Sequence, residues 1–355
     1  MSVYEGGDLL RSVFKILIVF LMIMLAGMYA DKALDERDID TTPETPPVNS
    51  GQVDPVKEIT AEEAPESGAG SFIGKSAGKL VNEYGQPVRK EPSAYGYEWW
   101  VYHAGEAYFL AGVENNHVVT VYATGEMDTS PFTLGISSNE IFRSRYPETE
   151  IVVNANDSYY RFELSEEDLN VRPLVPVGSF YAQLYIDQFS GTLSAVRFMS
   201  KEVLLKVQPY ELVYQGTLPK VQPPEQSEWV HIENGSEQQL YEITNVIRSR
   251  FGLSSLEWNP DAAEAAKNHS KDMFDAGYFD HESPQFGDLE ERLKKAGAVY
   301  GTADENIAAN YIDAPAAMEG WLNSQEHREV LLSESFSALG TGVYRKHYTQ
   351  NFTGE

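Results

Sequence analysis

Residues 13–30 are apolar almost without a break, Lys15 apart, while residues 31–70 carry almost no large apolar side chain. These two runs divide the chain before anything else is considered. A helix over 13–30 spans about 27 Å at roughly 1.5 Å per residue, close to the roughly 30 Å hydrocarbon core of a bilayer. Arg11 and Lys15 mark its N-terminal side and acidic residues dominate after it, a bias that keeps residues 1–12 cytoplasmic and sends the rest outside. The expectation is an uncleaved, single-pass transmembrane anchor over 13–30. The alternative is a cleaved signal peptide and a secreted product. Against it, Gly27-Met28-Tyr29-Ala30 lacks a small residue three places before a cut after Ala30, and no cysteine is present to carry a lipid. Residues 31–70 are rich in Asp, Glu, Pro, Thr, Ser and Gly. They cannot bury enough surface to offset the entropy of ordering, so they read as a disordered acidic linker.

Charge and composition exclude several classes. A net charge of -27 argues against nucleic-acid partners, which need a basic face, and disfavours an anionic lipid surface. With no cysteine, disulfides, zinc–thiolate sites and thiol nucleophiles are excluded. The apolar fraction of 42% is ample for globular cores.

Residues 71–216 repeat internally. Ile73-Gly74-Lys75-Ser76, with Leu80, Tyr84, Gly85 and Pro87 behind it, returns as Leu134-Gly135-Ile136-Ser137 with Ile141, Arg145, Tyr146 and Pro147. Each half reads as a short amphipathic helix leading into strands. The first set is Tyr97–His103, Ala107–Glu114 and His117–Ala123; the second is Tyr159–Glu163, Phe180–Asp187 and Leu193–Met199. The expectation is a duplicated helix-plus-sheet α+β domain. The aromatics Tyr95, Tyr97, Trp99, Trp100 and Tyr102 read as strand packing rather than a ligand platform. Residues 217–235 read as a Pro-rich linker. A helix then starts at Ser236, with Gln239 completing a capping box.

The C-terminal part, 236–355, alternates helices with short strands. Asn259-Pro260 opens a helix whose Ala262, Ala266, His269 and Met273 share its inward face. Residues 287–296 form a further helix, Asp313 caps another running to Asn323, and Ser324 caps a short one carrying His327 and Arg328. Leu339–Tyr344 and Tyr348–Phe352 pair as a terminal hairpin. Two histidines and a carboxylate from separate elements, His269, His327 and Glu305, are the residue types that hold a divalent metal or do acid–base work.

The runs Asn268 to Met273, Phe279 to Pro284, Glu305-Asn306-Ile307, Trp321 to Arg328 and Tyr348 to Phe352 resemble the bacterial branch of the CAP superfamily. That superfamily comprises the cysteine-rich secretory, antigen 5 and pathogenesis-related-1 proteins. The unit ahead of it resembles the CAP-associated N-terminal domain. The resemblance implies a three-layer α-β-α sandwich with a His/Glu cleft. Carried over, it assigns His269, Glu305 and His327 to that cleft, with Ser324 where the family's second glutamate normally stands. His347 imitates the eukaryotic histidine motif, but it lies on the last strand and is set aside; His281 reads as a rim or loop-fixing residue. Asn306 is expected to brace the cleft backbone and the Trp321 indole to find a buried acceptor. Zinc or a similar divalent ion, on His269 and His327, is the cofactor the cleft residues suggest. Two functions follow: a membrane-anchored extracytoplasmic module binding an envelope ligand or protein, or a metal-dependent hydrolase of peptides or, less readily, nucleic acids, using the same cleft.

Overall fold

The first repeat supplies α1 (Ala77–Tyr84), β1 (Arg89–Pro92), β2 (Glu98–Ala104), β3 (Ala107–Glu114) and β4 (His117–Gly125), with β3 an unbroken apolar run turned back into β4 by Asn115 and Asn116 at positive φ. The second supplies α2 (Ser138–Ser144), β5 (Glu150–Ala155), β6 (Ser158–Glu163), α3 (Glu166–Val171), β7 (Leu174–Val177), β8 (Phe180–Asp187), β9 (Thr192–Ser200), α4 (Lys201–Val207) and β10 (Glu211–Gln215). The C-terminal part comprises α5 (Gln226–Arg250), β11 (Glu257–Trp258), α6 (Pro260–Ala276), α7 (Leu289–Ala296), β12 (Thr302–Ala309), α8 (Ala314–Leu322), α9 (Gln325–Leu331), β13 (Ala338–Tyr344) and β14 (His347–Gly354). This is a computed structural model that describes residues 64–104, 107–144, 147–155 and 158–355. The expected anchor at 13–30, most of the acidic linker, and Arg145 and Tyr146 lie outside the described residues. Among those described, no helix is long and apolar enough to cross a membrane.

The duplication is visible in main-chain hydrogen bonds. Gly74 N–H donates to Val118 O (2.8 Å), Val118 N–H to Lys75 O (2.9 Å) and Ala77 N–H to Asn116 O (2.9 Å). In the second half the same three are Gly135 to Leu193 (2.9 Å), Leu193 to Ile136 (2.9 Å) and Ser138 to Gly191 (2.8 Å). Gly74 and Gly135 both sit at φ +79°, a left-handed conformation that favours glycine. The halves join through β4 and β9, antiparallel with Tyr122 opposite Arg197 in mid-register. The result is one seven-stranded sheet, ordered β1-β2-β3-β4-β9-β8-β7. Tyr159–Glu163, expected to belong with the second half's strands, does not join it. As β6 it pairs with β5 and β10 in a separate three-stranded sheet, where Tyr160 stacks on Tyr214 and Phe162 meets Tyr210 edge-on.

Each face of the large sheet is covered differently. Leu80 of α1 and Ile141 of α2 pack with Val121 and Phe198 on one face. On the other, Tyr97, Trp99, Tyr122 and Tyr185 share a core with Leu240, Ile243, Met318 and Trp321 of the C-terminal part. The two folded regions therefore pack as one unit. The aromatic cluster is packing: Tyr95, Tyr97 and Trp99 are buried toward the C-terminal part, Tyr102 toward the helices, and Trp100 lies under Lys90 Nζ at 3.8 Å. A polar seam pins the two parts. Arg197, 1% exposed, donates to Asp313 at 2.6 Å, and Tyr122 OH donates to Glu319 at 2.8 Å. Arg89 engages both oxygens of Glu242, at 2.5 and 2.8 Å.

Two sequence boundaries shift. The folded part reaches back before Ser71: Ala69 is buried in a 3-10 turn and its N–H donates to Asp128 O at 2.8 Å. The helix expected to open at Ser236 opens at Gln226, so the Pro-rich linker ends near Glu225, and its capping box is Glu225 with Glu228. Gln239 is unavailable as a cap because its amide donates to the buried Glu91 at 2.8 Å. Gly235 lets this helix pass β1, since a Cβ there would lie 2.9 Å from the Glu91 side chain.

The C-terminal sheet is ordered β11-β13-β14-β12, with the expected antiparallel β13–β14 hairpin. α6 lies against one face, brought close by Gly340 and Gly342; a Cβ at these positions would lie 2.1 Å from Ala263 N and 1.9 Å from Lys267 N. Leu339 and Val343 point the other way, into a core with Leu240 and Ile243 of α5, which makes the α-β-α layering. Asn259 caps α6 by accepting from Asp261 N–H (3.1 Å) and Ala262 N–H (3.0 Å), and Gly277 at φ +69° ends it.

Candidate functional site

Glu305 and Asn306 are neighbours on β12, so their side chains leave opposite faces of the sheet. Glu305 turns toward α6. Asn306 turns toward α9, where its Nδ2 donates to His327 O at 3.1 Å, the bracing role expected of it. The Trp321 indole donates to Ile307 O at 2.9 Å, also as expected.

Glu305 is 5% exposed, and its charge is met by an arginine the sequence did not single out. Arg292 Nη2 lies 2.9 Å from each Glu305 oxygen, while its Nη1 donates to His269 Nδ1 and to His281 O, both at 2.9 Å. Arg292 comes from α7, an acidic and basic helix whose charges all look solvated in sequence. The available signal was that Arg292 lies one turn after Leu289, beside the buried Leu293.

His269 faces inward as its helical spacing predicts, but into packed side chains rather than a cavity with His327. It is 1% exposed. Its Nδ1 accepts from Arg292, and its Nε2 donates to Asp280 O at 3.1 Å, which fixes the neutral Nε2–H tautomer. Burial drives its pKa down to about 4; Glu305, 3.8 Å away, opposes this and Arg292 adds to it.

The histidine at the cavity wall is His281, with a side chain 55% exposed and Nδ1 at 2.9 Å from Glu305 Oε1. That hydrogen bond raises its pKa. The loop carrying it is pinned from below, where Ser283 Oγ donates to Asp272 at 2.7 Å and accepts from Phe286 N–H at 2.8 Å. His281, Glu305 and His327 line one cavity of about 870 Å³. His327 Nδ1 lies 2.7 Å from Ser324 Oγ. Burial lowers the His327 pKa, and charge on His281 lowers it further. Ser324, standing where a glutamate was expected by analogy, thus orients the imidazole. His347 begins β14, as placed from sequence, yet it lines an adjoining cavity of about 630 Å³ together with Ser324 and His327.

The donor set does not fit a metal ion on His269 and His327. Both nitrogens of His269 are engaged, both oxygens of Glu305 are held by a guanidinium, and that guanidinium already supplies the positive charge. No group of three or more His, Asp or Glu side chains among the described residues is arranged to hold one.

Arg328, next to His327, ties α9 to the N-terminal region: its Nη1 and Nη2 lie 2.9 and 3.0 Å from the two oxygens of Asp187, which is fully buried. Asn323, at the α8–α9 junction, accepts from Gln188 N–H at 2.8 Å and donates to Ile186 O at 2.9 Å.

A four-stranded α-β-α sandwich with a Glu-Asn-Ile strand and a histidine-bearing helix at its cleft, seated on a duplicated α+β domain, defines a CAP-domain protein of the bacterial type. The chain belongs to the cysteine-rich secretory protein family: residues 241–355 match that family and residues 73–210 the CAP-associated N-terminal family. It is 46% identical over 290 residues to the uncharacterized membrane protein YlbC of Bacillus subtilis, over 81% of this chain and 84% of that one. The 1.5 Å crystal structure of an extracellular SCP-domain protein from Bacillus anthracis is similar at a TM-score of 0.79 and 41% identity, covering 84% of this chain and 99% of that one. A cysteine-rich secretory protein from Staphylococcus aureus is similar at a TM-score of 0.75 and 31% identity, covering 83% and 95%.

Proposed function

We propose that this is a membrane-anchored extracytoplasmic module that binds an envelope ligand in the His281–Glu305–His327 cleft without turning it over. The observation that carries the reading is the Arg292–Glu305 pair. A carboxylate with both oxygens held by an arginine is a poor general base, and the same arginine occupies the place a catalytic cation would need. The apolar run at 13–30, a relative described as a membrane protein and another described as extracellular support the location.

One contact favours a hydrolase instead. Ser324 Oγ on His327 Nδ1 at 2.7 Å has the form of a nucleophile–base pair. The deciding experiment incubates the full-length protein with quenched fluorescent peptide and oligonucleotide libraries, with and without divalent ions. Binding without chemistry predicts no turnover above buffer. Sustained turnover that His327→Ala abolishes would make the cleft an active site.

A further inference from the structure

We propose that the cleft is one end of a continuous groove that takes an extended cationic peptide, its basic side chains in a carboxylate-lined basin and its far end between the two folded regions. This rests on the reading that the cleft binds a ligand. Three cavities follow one another along β12 and the turn after it. The basin is walled by Thr302 and residues 304–306, the middle cavity by residues 307–311, and a third of about 590 Å³ by residues 309–312. They share walls: His327 belongs to the basin and the middle cavity, while Asn310, Tyr311, Gly320 and Ser324 belong to the middle cavity and the third. Eight strand residues cover roughly 26 Å at about 3.3 Å each, the span of an extended peptide of about eight residues.

The chemistry changes along this path in a way that selects the occupant. Asp280, Glu282, Asp288, Asp304, Glu326 and Glu329 ring the basin, and among the described residues no lysine or arginine lines it. The Arg292 guanidinium lies beneath, committed to Glu305. Within the basin wall, Asn306 is fully buried and among the described residues its Oδ1 has no hydrogen-bond partner, an acceptor left for a ligand N–H. Among the described residues the middle cavity has no carboxylate and no lysine or arginine; Phe274 and Phe279, 45% and 53% exposed, stand at its wall. Exposed aromatics beside a polar basin suit an apolar side chain next to a basic one. The third cavity, walled by residues of both folded regions, returns to charge with Glu167, Asp168, Glu319 and Arg172, and the Asn310 and Tyr311 stretch of the chain runs along it.

The test uses the full-length protein and a fluorescein-labelled octapeptide of alternating Lys and Leu, read by anisotropy. Comparators are the same peptide with Glu for Lys, its tetrapeptide half, and spermine. The expectation is that the Lys octapeptide binds at least tenfold tighter than each comparator and weakens steeply with salt. Glu326→Lys with Glu329→Lys, two exposed positions, should cost at least tenfold. Equal binding of the Lys and Glu peptides, or no loss in the double variant, overturns the proposal. Spermine or the tetrapeptide matching the octapeptide overturns the extended groove. Binding of the Glu peptide but not the Lys octapeptide, lost in His281→Ala, keeps the cleft as a binding site while the cationic peptide falls. No binding by any probe, together with turnover in the library assay, overturns both.

Discussion

Arg292 and Glu305 form a buried ion pair in which one guanidinium nitrogen reaches both carboxylate oxygens at 2.9 Å, and the remaining arm of the arginine fixes His269. Two side chains assigned to chemistry are thereby held in structure. Removing one partner strands the other charge in a dry site, so Arg292→Met is expected to destabilise the protein by about 3–5 kcal/mol in chemical denaturation. Arg292→Lys should recover only part, since a single ammonium cannot reach all four acceptors, the two Glu305 oxygens, His269 Nδ1 and His281 O, that the planar guanidinium serves. A loss under about 1 kcal/mol would mean the pair is hydrated and weak.

His269 is held neutral, with a pKa near 4 against an ordinary value of 6.5. The unfolded chain therefore takes up the proton first. Stability falls as pH drops from about 6.5 toward 4, by about 3 kcal/mol from this group at most. Urea midpoints measured across that range should fall for the wild type. His269→Gln, which keeps an acceptor and a donor, should flatten that part of the slope. An unchanged slope would place the acid sensitivity elsewhere.

His281 shifts the opposite way. Glu305 raises its folded pKa, so its contribution is fully present below the unfolded value and is lost as pH rises through the folded one. Titration of its ring resonances by NMR should show the raised pKa in the wild type and a return toward 6.5 in Glu305→Gln. An unshifted resonance in the wild type would mean the contact is not made in solution.

Zinc titrated into the purified protein is expected to give no heat that depends on His269, because its nitrogens are already committed. Calorimetry on wild type and His269→Ala should agree. A strong wild-type signal lost in the variant would restore the metal site.

Much of this was legible in the sequence. Apolar runs and turn residues located β2, β3, β4, β6, β8 and β9 but not the short β1, β5, β7 and β10, and Asn259-Pro260 with its small-residue face located α6. The helical period turned His269 inward, as it is. What periodicity could not say is whether inward means a cavity or a packed core, because the residue that decides, Arg292, sits on another helix among charges that look solvated. The start of α5 was missed for a similar reason. Gln239 reads as a cap until Glu91, far away in sequence, takes its amide. The interdomain seam left no local trace either: Asp187 and Arg328 are ordinary surface residues until the fold brings them together.

Asp187 has a consequence of its own. Arg328→Met should loosen α9 more than the sheet, seen as faster hydrogen exchange over residues 325–331 with β13 and β14 unchanged, and a total cost of about 2–4 kcal/mol. Uniform acceleration across the C-terminal part would instead indicate global destabilisation.

Tyr122 and Arg197 face each other where the two repeats meet, and both reach α8, at Glu319 and Asp313. That platform exists only after the second repeat has closed on the first. One half of that seat comes from each repeat, so a truncation that removes either one leaves the C-terminal sandwich without its resting place.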